Sequence, residues 1–226
     1  MAAPTIRIEH IGREEQPVIV IDDFVPAPER LRAQAEALEY QVMGRHYPGL
    51  RAEVAADEVD AYLAPIQTLI TETFGFREPA RVISAGYSIV TTRPADLTPI
   101  QRLPHFDGLE AERVALLHYL NGQKQGGTAF YRHRSTGFET ISAECHAAYD
   151  AALHREVAEH GLPDPAYISG DTALYERIAR FEAKPNRALI YRGHLLHCAD
   201  LPEGLDFTPD PKRARLTVNT FLWGEL

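Results

Sequence analysis

The sequence predicts an α+β fold with a jelly-roll (double-stranded β-helix) core, N-terminal helices packed on one of its sheets, and a helical insert. Three observations predict it. Short β-branched or aromatic runs bounded by Pro, Gly or Asn recur at residues 81–91, 113–120, 186–192 and 214–223. Helical periodicity is confined to the region before residue 75 and to a stretch between 142 and 183. Strands that return from distant sequence are what a double-sheet jelly roll requires.

Taken in order, Thr5–His10 alternates weakly and Pro17–Asp22 (PVIVID) is a short apolar run, so both read as strands. The segment Asp22-Asp23-Phe24-Val25-Pro26 breaks the second strand and opens a helix over 28–41, with Asp23 as its cap. Leu31, Ala35 and Leu38 form the apolar stripe of that helix. Residues 46–51 (HYPGLR) read as a turn. A second helix is expected from Asp57 to Phe74, facing inward with Val59, Tyr62, Leu63, Ile66, Leu69 and Ile70. The four later strands follow, and Gly126-Gly127 makes a hairpin turn into a further one. Ser142–Gly161 and Gly170–Ala183 read as a helical pair joined by the loop Leu162–Ala166. The whole chain, 1–226, is expected to be one domain with an insert at about 136–185.

Composition narrows the function. The chain is 45% hydrophobic and 24% charged, an ordinary globular balance, with a net charge of −9. That charge argues against nucleic acid as a partner, because phosphate binding wants a basic face. No apolar run nears the roughly 18 residues that span a bilayer, and the N-terminus lacks the pattern of a signal peptide. Two cysteines, Cys145 and Cys198, make no CxxC and no disulfide framework, which points to a reducing cytoplasm.

The chemistry is carried by His105-Phe106-Asp107 and a distant His197. In an extended segment His105 and Asp107 project the same way. Two imidazoles and one carboxylate that leave coordination positions open are the ligand set of non-heme Fe(II) oxygenases. A lone His-x-Asp triplet is weak; its surroundings give it weight. Reading on, His118-Tyr119-Leu120-Asn121 leads to Gly126-Gly127-Thr128-Ala129-Phe130. Ala188-Leu189-Ile190-Tyr191 then leads to Leu195-Leu196-His197, and Arg215-Leu216-Thr217 opens the last strand.

This ordered set resembles the Fe(II)/2-oxoglutarate-dependent oxygenase superfamily, in particular its prolyl-hydroxylase-like branch, over roughly residues 80–224. The resemblance implies Fe(II) held by His105, Asp107 and His197. It implies 2-oxoglutarate anchored by Arg215, with Thr217 on the same face adding a hydroxyl and Tyr87 a further hydrogen bond. The implied reaction consumes O2 and 2-oxoglutarate, releases succinate and CO2, and oxidises (by hydroxylation or a related step) a C–H bond of a small-molecule or peptidyl substrate. Because Asp107 is a carboxylate rather than a small residue, the resemblance points to hydroxylation over halogenation. The long span from His105 to His197 implies an insert that covers the site mouth.

Alternatives stay open at this point. His194 competes with His197 as third ligand, and Arg213 with Arg215 as anchor. A non-catalytic jelly-roll protein that binds a small molecule or partner through the same residues is one competing function, and a Zn(II) hydrolase another. Arg215 argues against hydrolysis, which needs no cosubstrate anchor. The remaining motifs read plainly: His118 as a satisfied core histidine, Cys198 as a buried thiol, and Glu144, Asp150, Glu156 and Glu159 as a solvated helix face. Arg132-His133-Arg134 is either a strand end at the surface or a cluster near an acidic substrate group.

Overall fold

A computed structural model describes residues 3–44, 46–54, 56–121 and 124–226, without the side chains of residues 56 and 57. β1 (Thr5–Ile11) and β2 (Gln16–Asp22) form a hairpin. They begin a seven-stranded antiparallel sheet that continues through β8 (Arg187–Arg192), β5 (Arg113–Tyr119), β10 (Leu216–Trp223), β4 (Arg81–Val90) and β3 (Gly49–Glu53). A smaller antiparallel sheet holds β6 (Gly127–His133) between β7 (Tyr175–Glu182) and β9 (His197–Asp200).

The two sheets share a buried layer. Val18, Val20, Leu117, Tyr119, Leu189 and Tyr191 of the large sheet meet Phe130 and Phe181 of the small one. Phe130 sets its edge against Phe181 (5.8 Å, 86°) and Tyr191 (5.0 Å, 85°), the offset geometry that aromatic quadrupoles favour. The outer face of the large sheet carries the N-terminal helices. Val59 and Leu63 of α2 (Ala56–Leu63) and Ile70 and Phe74 of α3 (Gln67–Phe74) pack on Ile19, Ile21, Leu116 and Ile190.

Several expectations are corrected. The helix over 57–74 is divided by Pro65 into α2, one 3-10 turn (Ala64–Ile66) and α3, because proline removes the amide that would continue the ladder. The buried stripe nevertheless holds, with Val59, Leu63, Ile66 and Ile70 inside. α1 spans only Pro28–Glu36, so Leu38 lies beyond it and is exposed. Asp23 does not cap it; Asp23 adopts a positive φ of 57° in the preceding turn, and Ala27 occupies the cap position. The 46–51 turn contains the start of β3, whose residues pair with β4.

The second helix of the insert, 170–183, is largely the strand β7. β6 is buried along its whole length, so its backbone groups need a ladder on both sides, and β7 supplies one of them. The first helix is present as α4 (His146–His160), with Tyr149 and Ala152 turned inward.

A carboxylate clasp ties the β1–β2 turn to the segment that leads toward His197. Glu139 is fully buried and accepts the amides of Arg13 (2.9 Å) and Glu14 (3.1 Å) and the Arg132 guanidinium (Nε, 2.7 Å). Glu14 reciprocates by accepting the Glu139 amide (3.0 Å) and the Thr140 hydroxyl (2.6 Å). Gly12, at φ +69°, is required here because a Cβ would occupy the space of the Glu139 carboxylate. The same loop donates the Ile141 amide to His194 O (2.8 Å) and receives the Leu196 amide at Glu139 O (2.8 Å). Arg132 and His133 are therefore buried structural groups. Arg132 also binds Glu176 (2.7 Å), and His133 binds Glu156 (2.8 Å), which takes Glu156 out of the solvated helix face. Replacing Glu139 by Gln leaves the Arg132 charge with only a half-exposed partner. A loss of about 3 kcal/mol is expected, read as a shift of the urea midpoint at unchanged slope.

Candidate metal centre and its cavity

His105 and Asp107 lie in an extended segment rather than a full strand. His105 makes an isolated two-way bridge to His197, with each backbone amide donating to the other's carbonyl at 2.8 Å. The Asp107 amide donates to Gly193 O (2.7 Å), which fixes the second residue against the turn after β8. His197 opens β9 and pairs with Phe130. The backbone alone thus brings three distant side chains to one point.

One donor atom from each of His105, Asp107 and His197 lies within 4.8 Å of the others. His197 Nε2 stands 3.4 Å from Asp107 Oδ2, and His105 Nε2 3.8 Å from Asp107 Oδ1. His197 Nδ1 is 2.8 Å from Leu195 O. A carbonyl can only accept, so Nδ1 carries the proton and Nε2 presents its lone pair toward Asp107. Among the described residues this is the single group of three or more His, Cys, Asp or Glu side chains with metal-ligating proximity.

Burial sets the electrostatics of the site. His105 leaves 53% of its side chain open to the cavity, and the surrounding protein holds its pKa well below the usual imidazole value by desolvation. The neighbouring His197 and Arg51 charges push it the same way. Burial also raises the Asp107 carboxyl, against the opposing pull of His197, Arg51 and Arg113.

The cavity above these residues has a volume of about 550 Å³. Its inner end is lined by Thr128, Tyr191, Ala199 and Arg215. Arg215 is 4% exposed; one of its amino groups donates to Gly127 O (3.2 Å), and its guanidinium lies 5.4 Å from the centre of the Tyr119 ring. Its buried Nε has no partner. Tyr119 in turn shares a 2.6 Å hydrogen bond with the Thr128 hydroxyl. The outer part is walled by Leu103 and Phe106 and by His146, Tyr149 and Leu153 of α4.

The two open choices separate by position. His194 is not among the cavity residues and is not in the metal-ligating group, whereas His197 is in both. Arg213 is exposed and bound to Asp206, whereas Arg215 is buried and lines the cavity. Thr217 is fully buried on the same strand face as Arg215, and its hydroxyl donates to Asn219 Oδ1 (2.9 Å). Tyr87 is not brought to the site. β4 presents Ser88 and Val90 to the inner face, so Tyr87 points outward and packs with Ala35, Leu216 and Val218 under α1. The misplacement is one residue of strand phase, which reverses the face.

Arg51 and Tyr47 were not evident as cavity residues, because 46–51 reads as a turn. The signal was present in Leu50-Arg51-Ala52: an arginine between apolar neighbours on a strand points to the other face. Cys198 is buried as expected, with its thiol pushed up to about 12 by burial. His118 is a core histidine bonded to Asn186 Oδ1 (3.0 Å), lowered to about 4 by burial.

The family model described as "Family of unknown function (DUF6445)" matches residues 2–222. The chain belongs to the DUF6445 family. No curated protein matches it. Among solved structures, HygX from Streptomyces hygroscopicus with nickel and 2-oxoglutarate bound is similar at 14% identity and a TM-score of 0.50 over 93% of this chain and 84% of that one. SnoK, a non-heme α-ketoglutarate-dependent carbocyclase from nogalamycin biosynthesis, is similar at 13% identity and a TM-score of 0.50 over 93% and 81%. At these identities the likeness is one of fold: this DUF6445 protein shares the mostly antiparallel α+β architecture of those enzymes.

Because a ligating carboxylate must be ionised, affinity for a divalent ion is expected to fall as pH drops through the raised Asp107 pKa, earlier than for an ordinary carboxylate. His105, held low, stays neutral and does not oppose binding over that range. Calorimetric titration with Mn(II) between about pH 7.5 and pH 5 checks this, with an Asp107→Asn variant as the weak-binding reference that lacks the titrating carboxylate.

Proposed function

We propose that this DUF6445 protein is an Fe(II)- and 2-oxoglutarate-dependent dioxygenase, its two sheets forming a double-stranded β-helix and the chain a single domain. One observation carries the reading. A two-His, one-carboxylate cluster and a buried, incompletely partnered arginine line the same cavity.

The donor set fits the metal. His105, Asp107 and His197 offer two neutral nitrogens and a carboxylate and leave further positions free, as a non-heme iron site requires. Arg215 fits the cosubstrate. A planar guanidinium with an orphaned Nε, buried next to Tyr119 and Thr128, is suited to the far carboxylate of a keto-diacid. When bound, the iron and cosubstrate together supply the oxidising power that no side chain possesses. The chain's own residues orient and shield. The Leu195 carbonyl fixes the tautomer and ring plane of His197. Asp107 would hold the cation through its ionised carboxylate. Tyr119 backs the Arg215 guanidinium from one side, and α4 with Leu103 and Phe106 walls the mouth against water. A hydrolytic reading leaves Arg215 without a task.

The proposed substrate is a small molecule or a peptidyl side chain, oxidised at a C–H bond, with hydroxylation the outcome expected for an intact carboxylate ligand. The acidic chain charge gives no support to nucleic acid as partner. Among the described residues no helix is long and apolar enough to cross a membrane, and a cytoplasmic location stays a proposal from cysteine usage.

His105→Ala or Asp107→Ala is expected to abolish Fe(II)-dependent succinate formation from 2-oxoglutarate; unchanged turnover in either would sink the assignment. Arg215→Gln is expected to raise the KM for 2-oxoglutarate by roughly 10- to 100-fold, the loss of charge-assisted hydrogen bonds, with metal affinity retained.

A further inference from the structure

A second guanidinium enters the same cavity. Arg51 of β3 pairs across the sheet with Ser88, which pairs with Thr217, which pairs with Tyr119. One cross-strand row therefore places Arg51 on the inner face. Its guanidinium lies 4.1 Å from the centre of the Tyr47 ring, a cation–π contact that orients it. Its Nε is buried and has no hydrogen-bond partner, and it forms no ion pair with any described residue. Its charge reaches both His105 and Asp107. The Tyr47 hydroxyl beside it is also buried and unpartnered.

Charge counting gives this residue a meaning, resting on the reading above. The charged side chains that line the cavity are Arg51, Asp107, Asp150 and Arg215. A divalent cation, the Asp107 carboxylate, a keto-diacid dianion and Arg215 sum to neutrality. Asp150 leaves 56% of its side chain exposed, so water screens its charge. Arg51 is then a half-buried cation with an unpartnered, buried Nε and no ion pair among the described residues, a group that a ligand carboxylate would complete. Ile100, Leu103, Phe106 and Leu153 give the cavity an apolar stretch, beside the uncharged polar groups of Gln101 and Tyr167.

We propose that Arg51 anchors a carboxylate of the primary substrate, and that the substrate class is a small monocarboxylic acid with an apolar body. The bidentate fork of arginine matches a carboxylate, and Tyr47 sets its plane. The apolar wall takes the remainder of the molecule. Arg215 and Arg51 thus divide the two organic acids of the reaction between them.

The test uses matched probes, 3-phenylpropanoate with 3-phenylpropanamide and hexanoate with hexanamide. They are titrated calorimetrically into the full chain loaded with Mn(II) and saturating 2-oxoglutarate. The acid of each pair is expected to bind at least about tenfold more tightly than its amide. Arg51→Gln is expected to reduce that preference to less than about threefold, while 2-oxoglutarate affinity, titrated separately, changes by less than about threefold. Equal binding of acid and amide by the wild-type chain, or no binding of either acid, overturns the proposal. So does a preference that survives in Arg51→Gln, or an equal loss of 2-oxoglutarate binding in Arg51→Gln and Arg215→Gln. If Arg51→Gln does not fold, the wild-type acid–amide comparison decides alone. Failure of the wild-type chain to bind 2-oxoglutarate would instead refute the dioxygenase reading. The acid–amide difference in the Mn(II)-loaded protein, and its loss in Arg51→Gln, would still judge Arg51 separately.

Discussion

The reciprocal backbone bridge between His105 and His197 is the constraint on which the rest depends. It joins two points 92 residues apart in the chain. Because both bonds are main-chain bonds, the spacing of the two imidazoles is set by the ladder and not by their side chains. The Asp107 amide, held by Gly193, adds the carboxylate in a fixed relation to both. The three donor groups are thus gathered by main-chain pairing alone. What the protein bears is electrostatic: a carboxyl raised by burial and an imidazole lowered by it. Both shifts have burial as their largest cause.

The bridge is itself held from outside. The Glu14–Glu139 clasp fastens the loop that pairs with Leu195 and Leu196, immediately before His197. A hairpin at the start of the chain thereby fixes a residue near its end. The buried Arg132 belongs to this scaffold, which explains why a basic triplet that invites a ligand-binding role has none.

Much of this was legible in the sequence. His105 and Asp107 were readable from residue type and order, and the apolar strands on either side of them from β-branched runs. His197 and Arg215 each kept a rival, His194 and Arg213, and only the fold shows which member of each pair faces the cavity. What escaped was strand phase and strand partnership. Tyr87 differs from Ser88 by one step, and no local signal says which face of β4 meets the cavity. β7 resembles a helix in composition, and it is a strand because β6 needs a second neighbour. Arg51 was hidden by Pro48-Gly49, a turn signal that in the fold leads directly into β3. In each case the deciding information was the neighbour across the sheet.

The cavity draws its floor and its wall from separate stretches of chain. The floor rests on main-chain pairing among β6, β9 and the extended 105–107 segment. The wall is α4, attached through side chains: His133 to Glu156 and the Tyr149 hydroxyl to the Tyr175 hydroxyl at 2.7 Å. Substitutions along that helix can therefore reshape the outer wall of the cavity while the main-chain pairing that gathers His105, Asp107 and His197 stays as it is.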